Sequence, residues 1–300
     1  MTATTYSAKV LADSMANGVR LVTFEVTFPR IILAEMNTHR VFSRCSSSSR
    51  AIPIEKMIDK AVCDPYIPKK WLSNQRGMQG GEELSITDQI NARRQWLSAR
   101  DKAVDQARKL QDIGVHKQWV NRLLEPFLWH TAIISATEWG NFYFQRIHPE
   151  AKPDMYETAR AMYFALIESK PTWLEEDEWH LPLITLEEKN SNPEVSIDVW
   201  KRISVGRCAR VSYLNHLGVR SLADDIILHD KMKLNGHMSP FEHVARPMTS
   251  EELFRYRTSA EVPFLGNFRG WVQYRKEIPG EANMIEFLAE RKEKDAIEAT

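Results

Sequence analysis

The feature that most constrains this chain is the stretch of residues 19–50, in which a β-rich segment leads into a cluster of cationic and hydroxyl side chains. Val19–Phe28 alternates and is rich in β-branched and aromatic residues, which predicts a strand. Pro29 ends this strand or places it at a sheet edge, because proline has no N–H to donate to a ladder. An apolar run follows, then His39-Arg40, five serines within positions 43–49, and Arg50.

Side chains of these types at this density suit the binding of a phosphate. The planar guanidinium of arginine offers a fork of donors that matches phosphate oxygens. The serine hydroxyls and their backbone N–H groups add further donors, and His39 can exchange a proton near neutral pH. A serine-rich surface turn with solvated arginines explains the same pattern, so the residues alone leave both interpretations open.

The segment resembles the first signature of the flavin-dependent thymidylate synthases. That signature reads Arg-His-Arg, two residues, Ser, one residue, Asn-Glu, one residue, Ser, one residue, Arg. The matching positions are His39, Arg40, Ser43, Ser48 and Arg50. The departures are Thr38 for the first arginine, Cys45-Ser46 for Asn-Glu, and Glu35 for a glutamine that lies near the substrate base in the family.

Later segments carry the same resemblance. Asn141 and Arg146 have the spacing of the family's second signature, whose earlier Asn-x-Arg reads Ser135-Ala136-Thr137 here. Residues 208–213 and 236–243 resemble its Ala-Arg-x-Ser-Tyr and Gly-His-x-Ser/Thr-Pro-Phe-Glu-His blocks. In the family the last block precedes the His-Arg block, so the chain is similar to a divergent, circularly permuted member of the kind found in large bacteriophages. The spacing of the two histidines in 236–243 does not favour a zinc site.

This resemblance implies reductive methylation of dUMP to dTMP, with FAD, NADPH and methylenetetrahydrofolate. It also implies a homo-oligomer, a tetramer, whose sites combine residues of several subunits. The implied catalytic residues are Ser48, Arg50 and Arg146, and Glu35 joins these three in the substrate site. The implied FAD contacts are His39, Arg40, Asn141, His237, Ser239 and Glu242.

The departures from the family pattern define alternatives. Thr38 and Thr137 replace two arginines that hold FAD in the family, and Arg269 or Arg275 of the basic-aromatic segment 267–275 is a candidate substitute. Glu35, when ionised, accepts hydrogen bonds but cannot donate them, which suits a cytosine-type edge.

Two other functions therefore remain open, namely a flavin-dependent hydroxymethylase of dUMP or dCMP and a nucleotide-binding homologue without catalysis. A nucleophilic Cys45, activated by Arg44 and His39, is a further alternative for the mechanism of an enzyme.

The composition suits a cytoplasmic enzyme, in the host cytoplasm if a phage encodes it. The 300 residues contain 40 Lys and Arg against 40 Asp and Glu, so no global charge recruits nucleic acid or an acidic membrane. The three cysteines are too few for a disulfide framework. No apolar run has the length of a membrane span.

The pattern of strands and helices predicts an α+β fold, with a mixed or antiparallel sheet packed against several helices. The resemblance implies one catalytic domain over 1–300, in which segments 19–60, 129–170 and 205–275 carry the site. Residues 64–85 are expected to form a long loop. A second sheet segment is expected within Val244–Val272. The predicted helices are Ile90–Leu110, His116–Phe127, Trp129–Arg146, Met155–Ser169, Val199–Arg207, Leu222–Leu234 and Met284–Ala299.

Overall fold

The computed structural model of the protein describes residues 3–213, 221–258, 265–279 and 281. It confirms the α+β class with a mixed sheet. The strands are β1 (Ser7–Ala16), β2 (Val19–Pro29), β3 (Ser43–Ser46), β4 (Trp129–Ala136), β5 (Thr172–Trp173), β6 (Ala245–Pro247) and β7 (Trp271–Gln273). Five of them form a sheet in the order β3-β4-β2-β1-β5, and β6 pairs with β7. In the larger sheet β4 is antiparallel to β2 and β3, whereas β1 and β5 are parallel.

The α-helices within the described residues differ widely in length. They are α1 (Leu33–Asn37), α2 (Ile54–Cys63), α3 (Ile86–Asp112), α4 (Lys117–Val120), α5 (Gly140–Arg146), α6 (Pro153–Glu168), α7 (Leu186–Ser191), α8 (Ile197–Ala209), α9 (Leu222–Leu234) and α10 (Ser250–Thr258). Among these helices none is both long and apolar enough to cross a membrane. The predicted helix Met284–Ala299 lies outside the described residues.

The chain divides into two compact units. The first comprises residues 1–11, 22–170 and 210–218, and the second comprises 12–21, 171–209 and 219–300. The first two strands therefore belong partly to each unit. Whether the whole chain acts as one catalytic domain stays a prediction.

The first unit is built on β4, which is flanked by two antiparallel neighbours. Val22 to Pro29 of β2 pair with Ala136 to Trp129, and Ser43 to Ser46 of β3 pair with Ser135 to Ala132. The fully buried side chains of Phe24, Phe28 and Ile134 join residues of α5 and α6 in one apolar cluster. A second cluster packs α2 and α3 against the 3-10 segment Asn121–Phe127.

The prediction of a single buried helix over Trp129–Arg146 is wrong. Residues 129–136 form the interior strand β4, and the helix α5 begins only at Gly140. Because β4 has strands on both sides and is buried on both faces from Ala132 onward, its sequence is a nearly continuous apolar run. Periodicity cannot distinguish such a run from a buried helix.

Two connections between elements differ sharply in length. Asn17 and Gly18, with φ angles of 52° and 73°, form the two-residue turn between β1 and β2, as the primed hairpin turns require. Residues 64–85, by contrast, contain no helix or strand and only one isolated bridge, Leu72 with Glu83.

In the second unit α8 and α9 cross closely around a buried ion pair. The Arg207 guanidinium donates to Asp225 at 3.0 Å and to Glu188 at 2.6 Å. A Cβ atom on Gly206 would lie 2.1 Å from the backbone oxygen of Asp225, so the crossing requires glycine.

Candidate functional site

A cavity of about 270 Å³ opens in the first unit where three strand ends meet. Arg30 follows the last residue of β2, Ser47 and Ser49 follow β3, and His130 lies at the start of β4. Lys60 of α2 adds a second cationic side chain to the wall. The antiparallel pairing of β4 with both neighbours brings these positions together, although they are far apart in the sequence.

Arg30 lies at the centre of a buried polar network. Its Nη1 donates to His130 Nδ1 at 2.8 Å and to the backbone oxygen of Ser47 at 3.2 Å. Its Nη2 lies 3.0 Å from Glu125 Oε1, which also accepts a hydrogen bond from Ser49 Oγ at 2.7 Å. The network fixes the arginine and the serine segment in one arrangement.

The protonation of His130 follows from these contacts. A guanidinium only donates, so Nδ1 must accept and the ring hydrogen lies on Nε2. Burial, together with the Arg30 charge, lowers the pKa of His130 to about 3, which keeps the ring neutral. Arg30 Nε and His130 Nε2 are buried and make no hydrogen bond with the described residues. Such unsatisfied buried donors are rare in proteins.

The predicted residues Ser48 and Arg50 lie on the turn beside this cavity. The backbone N–H of Ala51 donates to the Ser48 oxygen at 3.1 Å, and Asn121 Nδ2 donates to the backbone oxygens of Ser49 and Ile52. The Arg50 side chain is exposed. Hydrogen bonds from Ala51 and Asn121 to backbone oxygens therefore fix the turn, whereas the Arg50 side chain is exposed to solvent.

A second cluster joins two other predicted residues, His39 and Arg146. Arg146 Nε donates to His39 Nε2 at 3.0 Å, and Arg44 Nη1 donates to the His39 backbone oxygen at 2.9 Å. The imidazole packs on the rings of Phe42 and Phe142, with centroids 5.5 and 4.8 Å away. Burial, then the charges of Arg146 and Arg44, lower the pKa of His39 to about 4. His39 is thus a neutral acceptor that orients Arg146.

Three further predicted residues of the first unit, Glu35, Arg40 and Asn141, lie outside both clusters. Glu35 Oε1 lies 3.2 Å from Lys152 Nζ, whereas Arg40 and Asn141 are exposed.

The structure does not bring Ser48 and Arg50 to Arg146 within one chain. His39 packs on Phe42, next to the start of β3, whereas Ser47 follows the end of this strand. At about 3.3 Å per residue, Ser43 and Ser47 are separated by about 13 Å.

In the second unit the block 236–243 begins with Gly236 at a φ of 68°. His237 and Ser239 are exposed, and Glu242 forms an ion pair with Arg275. Arg275 also contacts Glu281 at 2.5 Å, and the Arg269 side chain is exposed. A role for either arginine in FAD binding stays a prediction.

The structure also bears on a nucleophilic role for Cys45 and on a metal site. Cys45 is only 4 % exposed in β3, opposite Ile133, so its thiol is not presented to a substrate. No group of three or more His, Cys, Asp and Glu side chains that could hold a metal occurs among residues 3–213, 221–258, 265–279 and 281.

Sequence reasoning missed Arg30, Lys60 and His130. Arg30 carries a usable signal, since it directly follows the proline that ends a predicted strand. His130 carries none, because the apolar run around it predicts a buried helix.

The solved structures that are similar to part of this chain include two of the UMP/dUMP methylase PolB from Streptomyces cacaoi. The structure with bound 5-Br UMP has a TM-score of 0.46 and 14% sequence identity, covering 55% of this chain and 90% of that chain. The structure with bound 5-Br dUMP has a TM-score of 0.41 and 17% identity, covering 50% and 67%. No protein-family model and no curated protein matches the chain.

Proposed function

We propose that this chain is an enzyme that binds a pyrimidine nucleoside monophosphate and methylates its base, as a flavin-dependent thymidylate synthase acting on dUMP. The observation that carries the proposal is the cavity of Arg30, Ser47, Ser49 and His130, which adjoins the turn with Ser48 and Arg50. Ser48 and Arg50 are two of the four residues that the motif resemblance assigns to the nucleotide. The resemblance and the local geometry therefore indicate the same anion-binding segment.

The chemistry of this segment suits a phosphate monoester. Arg50 is exposed and able to reach a ligand, while the buried Arg30 holds the serine segment in place. Charge-assisted hydrogen bonds from a guanidinium to phosphate are about twice as strong as neutral ones. Neutral His130 accepts from Arg30 through Nδ1 and so helps to hold that arginine in place.

The base would contact the second cluster of another subunit. Arg146 is held by His39 with its remaining donors available to polarise a uracil carbonyl, where negative charge develops during substitution at the ring. Glu35, paired with Lys152, presents carboxylate acceptors. A carboxylate acceptor suits the amino group of cytosine as well, so dCMP is the substrate to compare with dUMP.

The residues assigned to FAD fit such a group in part. Arg40, Asn141, His237 and Ser239 are exposed and offer cationic and polar contacts, whereas His39 and Glu242 already have protein partners. Bound flavin would supply the redox chemistry that no side chain provides. NADPH and methylenetetrahydrofolate, as reductant and one-carbon donor, belong to the same proposal.

The first test is calorimetric binding of dUMP to the wild type and to Arg50→Ala. We expect the variant to bind about ten- to a hundredfold more weakly, because a hydrogen bond to a charged group contributes about 1.5–3 kcal/mol. Arg108→Ala, which removes an exposed arginine from α3, is the matched control and should bind as the wild type does. Equal affinity of all three proteins would contradict the assignment of Arg50.

The second test is the visible absorbance of the protein with added FAD, before and after dUMP or dCMP and NADPH. Flavin binding with bleaching that depends on dUMP, followed by formation of dTMP, supports the thymidylate synthase. A product from dCMP, or a hydroxymethylated product by mass, would replace it with the hydroxymethylase. Nucleotide binding without flavin binding would indicate a non-catalytic homologue.

A further inference from the structure

A second cavity, of about 500 Å³, lies in the first unit between the loop 64–85 and the beginning of α6. Its wall includes Tyr6, Lys69, Lys70, Asp154 and Tyr156. None of these residues belongs to the sites described above.

The carboxylate of Asp154 is the most constrained group in this wall. The residue is only 7 % exposed, yet it carries a group that is costly to bury. The hydroxyls of Tyr6 and Tyr66 both donate to its Oδ1, at 2.6 and 2.5 Å. Burial and the Asp154 carboxylate raise the pKa of both tyrosines, so they remain protonated donors.

The other carboxylate oxygen, Oδ2, makes no hydrogen bond with any residue that the structure describes. One oxygen is thus oriented by two protein donors, and the residue lines the cavity. An oxygen held in this way accepts hydrogen bonds from an N–H group of a ligand. The arrangement is that of a prepared acceptor, because both tyrosines fix the carboxylate before any ligand arrives.

Aromatic and cationic groups surround this acceptor. The Lys69 ammonium lies 4.8 Å from the centroid of the Tyr6 ring, and the Trp129 ring makes an edge-to-face contact with the same ring, with the centroids 5.3 Å apart. Lys69 and Lys70 are exposed. A flat ring can pack on such aromatic surfaces, and a phosphate or carboxylate can reach the lysines. The opposing carboxylates of Glu83 and Glu157 in the wall disfavour a ligand that is anionic throughout.

We infer that this cavity binds an amino-substituted aromatic heterocycle with an anionic tail, its N–H on Asp154 Oδ2 and its tail at Lys69 and Lys70. Two co-substrates of the proposed function share this chemistry: a reduced folate, with its amino-pterin ring and carboxylates, and NADPH, with its adenine and phosphates. The choice between these occupants rests on the proposed function, whereas the site itself rests on the cavity and on Asp154.

The test is calorimetric titration of the flavin-free protein with tetrahydrofolate and, separately, with NADPH. We expect one of these probes to bind the wild type and to bind Lys69→Ala/Lys70→Ala at least tenfold more weakly. Lys102→Ala, an exposed lysine on α3, is the matched control and should leave the affinity unchanged. The probe that binds shows which of the two co-substrates the cavity accepts.

The role of Asp154 is tested with Asp154→Asn, whose amide oxygen can still accept from both tyrosines. We expect the variant to keep its circular dichroism spectrum and to bind the probe at least tenfold more weakly. Absence of binding to the wild type by both probes, or equal binding by the lysine variant, would overturn the inference. Probe binding in a protein that binds no dUMP would retain the site and reject the proposed function.

Discussion

Two arginine–histidine pairs, Arg30 with His130 and Arg146 with His39, define the polar chemistry of the first unit. In each pair the guanidinium donates to one imidazole nitrogen, at 2.8 and 3.0 Å. Burial and the adjacent cation both disfavour the charged imidazole, so the rings act as neutral acceptors. The pairs therefore orient arginines, which the sequence motif could not reveal.

Removing Arg146 tests this electrostatic coupling. In Arg146→Ala we expect the pKa of His39 to rise above about 4, because one of the charges that disfavour imidazolium is lost. An NMR titration of the His39 ring measures this pKa. The control is Lys152→Ala, whose partner is Glu35. If the pKa of His39 is the same in the wild type and in Arg146→Ala, the contact is not the origin of the shift.

At the scale of elements, local pattern predicted the four longest of the described helices, α3, α6, α8 and α9, but not the shorter helices α2, α7 and α10 or the interior strand β4. The helix α9 spans the predicted Leu222–Leu234, because a capping serine precedes it and Gly236 follows. The same kind of pattern gave a wrong prediction for residues 129–136, because a strand that is buried on both faces shows no alternation of polar and apolar residues. The turn Asn17-Gly18 is a strong hairpin signal that the sequence-based prediction did not use.

The crossing of α8 and α9 yields a prediction about stability. Gly206→Ala should lower the free energy of unfolding by about 1–3 kcal/mol or more, because its Cβ meets a backbone oxygen that cannot move aside. Urea unfolding monitored by circular dichroism measures the change. Gly140→Ala, in α5, is the matched control.

Gly140 has no neighbouring atom within 4 Å of the position that an alanine methyl would take, and its φ is not positive. Its replacement should raise stability by about 0.4–1 kcal/mol, through the unfolded chain. A loss of stability in both variants, of similar size, would contradict the steric argument.

At the scale of the whole molecule, buried histidines couple folding to pH. The pKa values of His130, His180 and His243 are lowered to about 3, chiefly by burial, and that of His39 to about 4. The unfolded chain takes up these protons near pH 6.5 and the folded chain does so only below about pH 4. Over this interval the unfolded state binds more protons, so acid destabilises the fold.

We therefore expect the free energy of unfolding to fall as the pH decreases from about 6.5 to about 4. Each such histidine contributes about 1.4 kcal/mol per pH unit within the interval. Urea unfolding at a series of pH values gives the slope. His148→Asn, which replaces an exposed histidine, should leave the slope unchanged. A flat profile between pH 6.5 and 5 would contradict the assignment of neutral buried rings.

By itself the sequence determined what depends on neighbours along the chain. It predicted the strand that begins at Val19, the helices α3, α6, α8 and α9, and the α+β class, because periodicity and caps are local properties. It did not determine which distant side chains meet. His130 joins Ser47 across 83 positions and Arg30 across 100, and the paired tyrosines reach Asp154 across 148 and 88. Only the tertiary structure decided these contacts, since strand register and helix packing set the face on which each side chain lies.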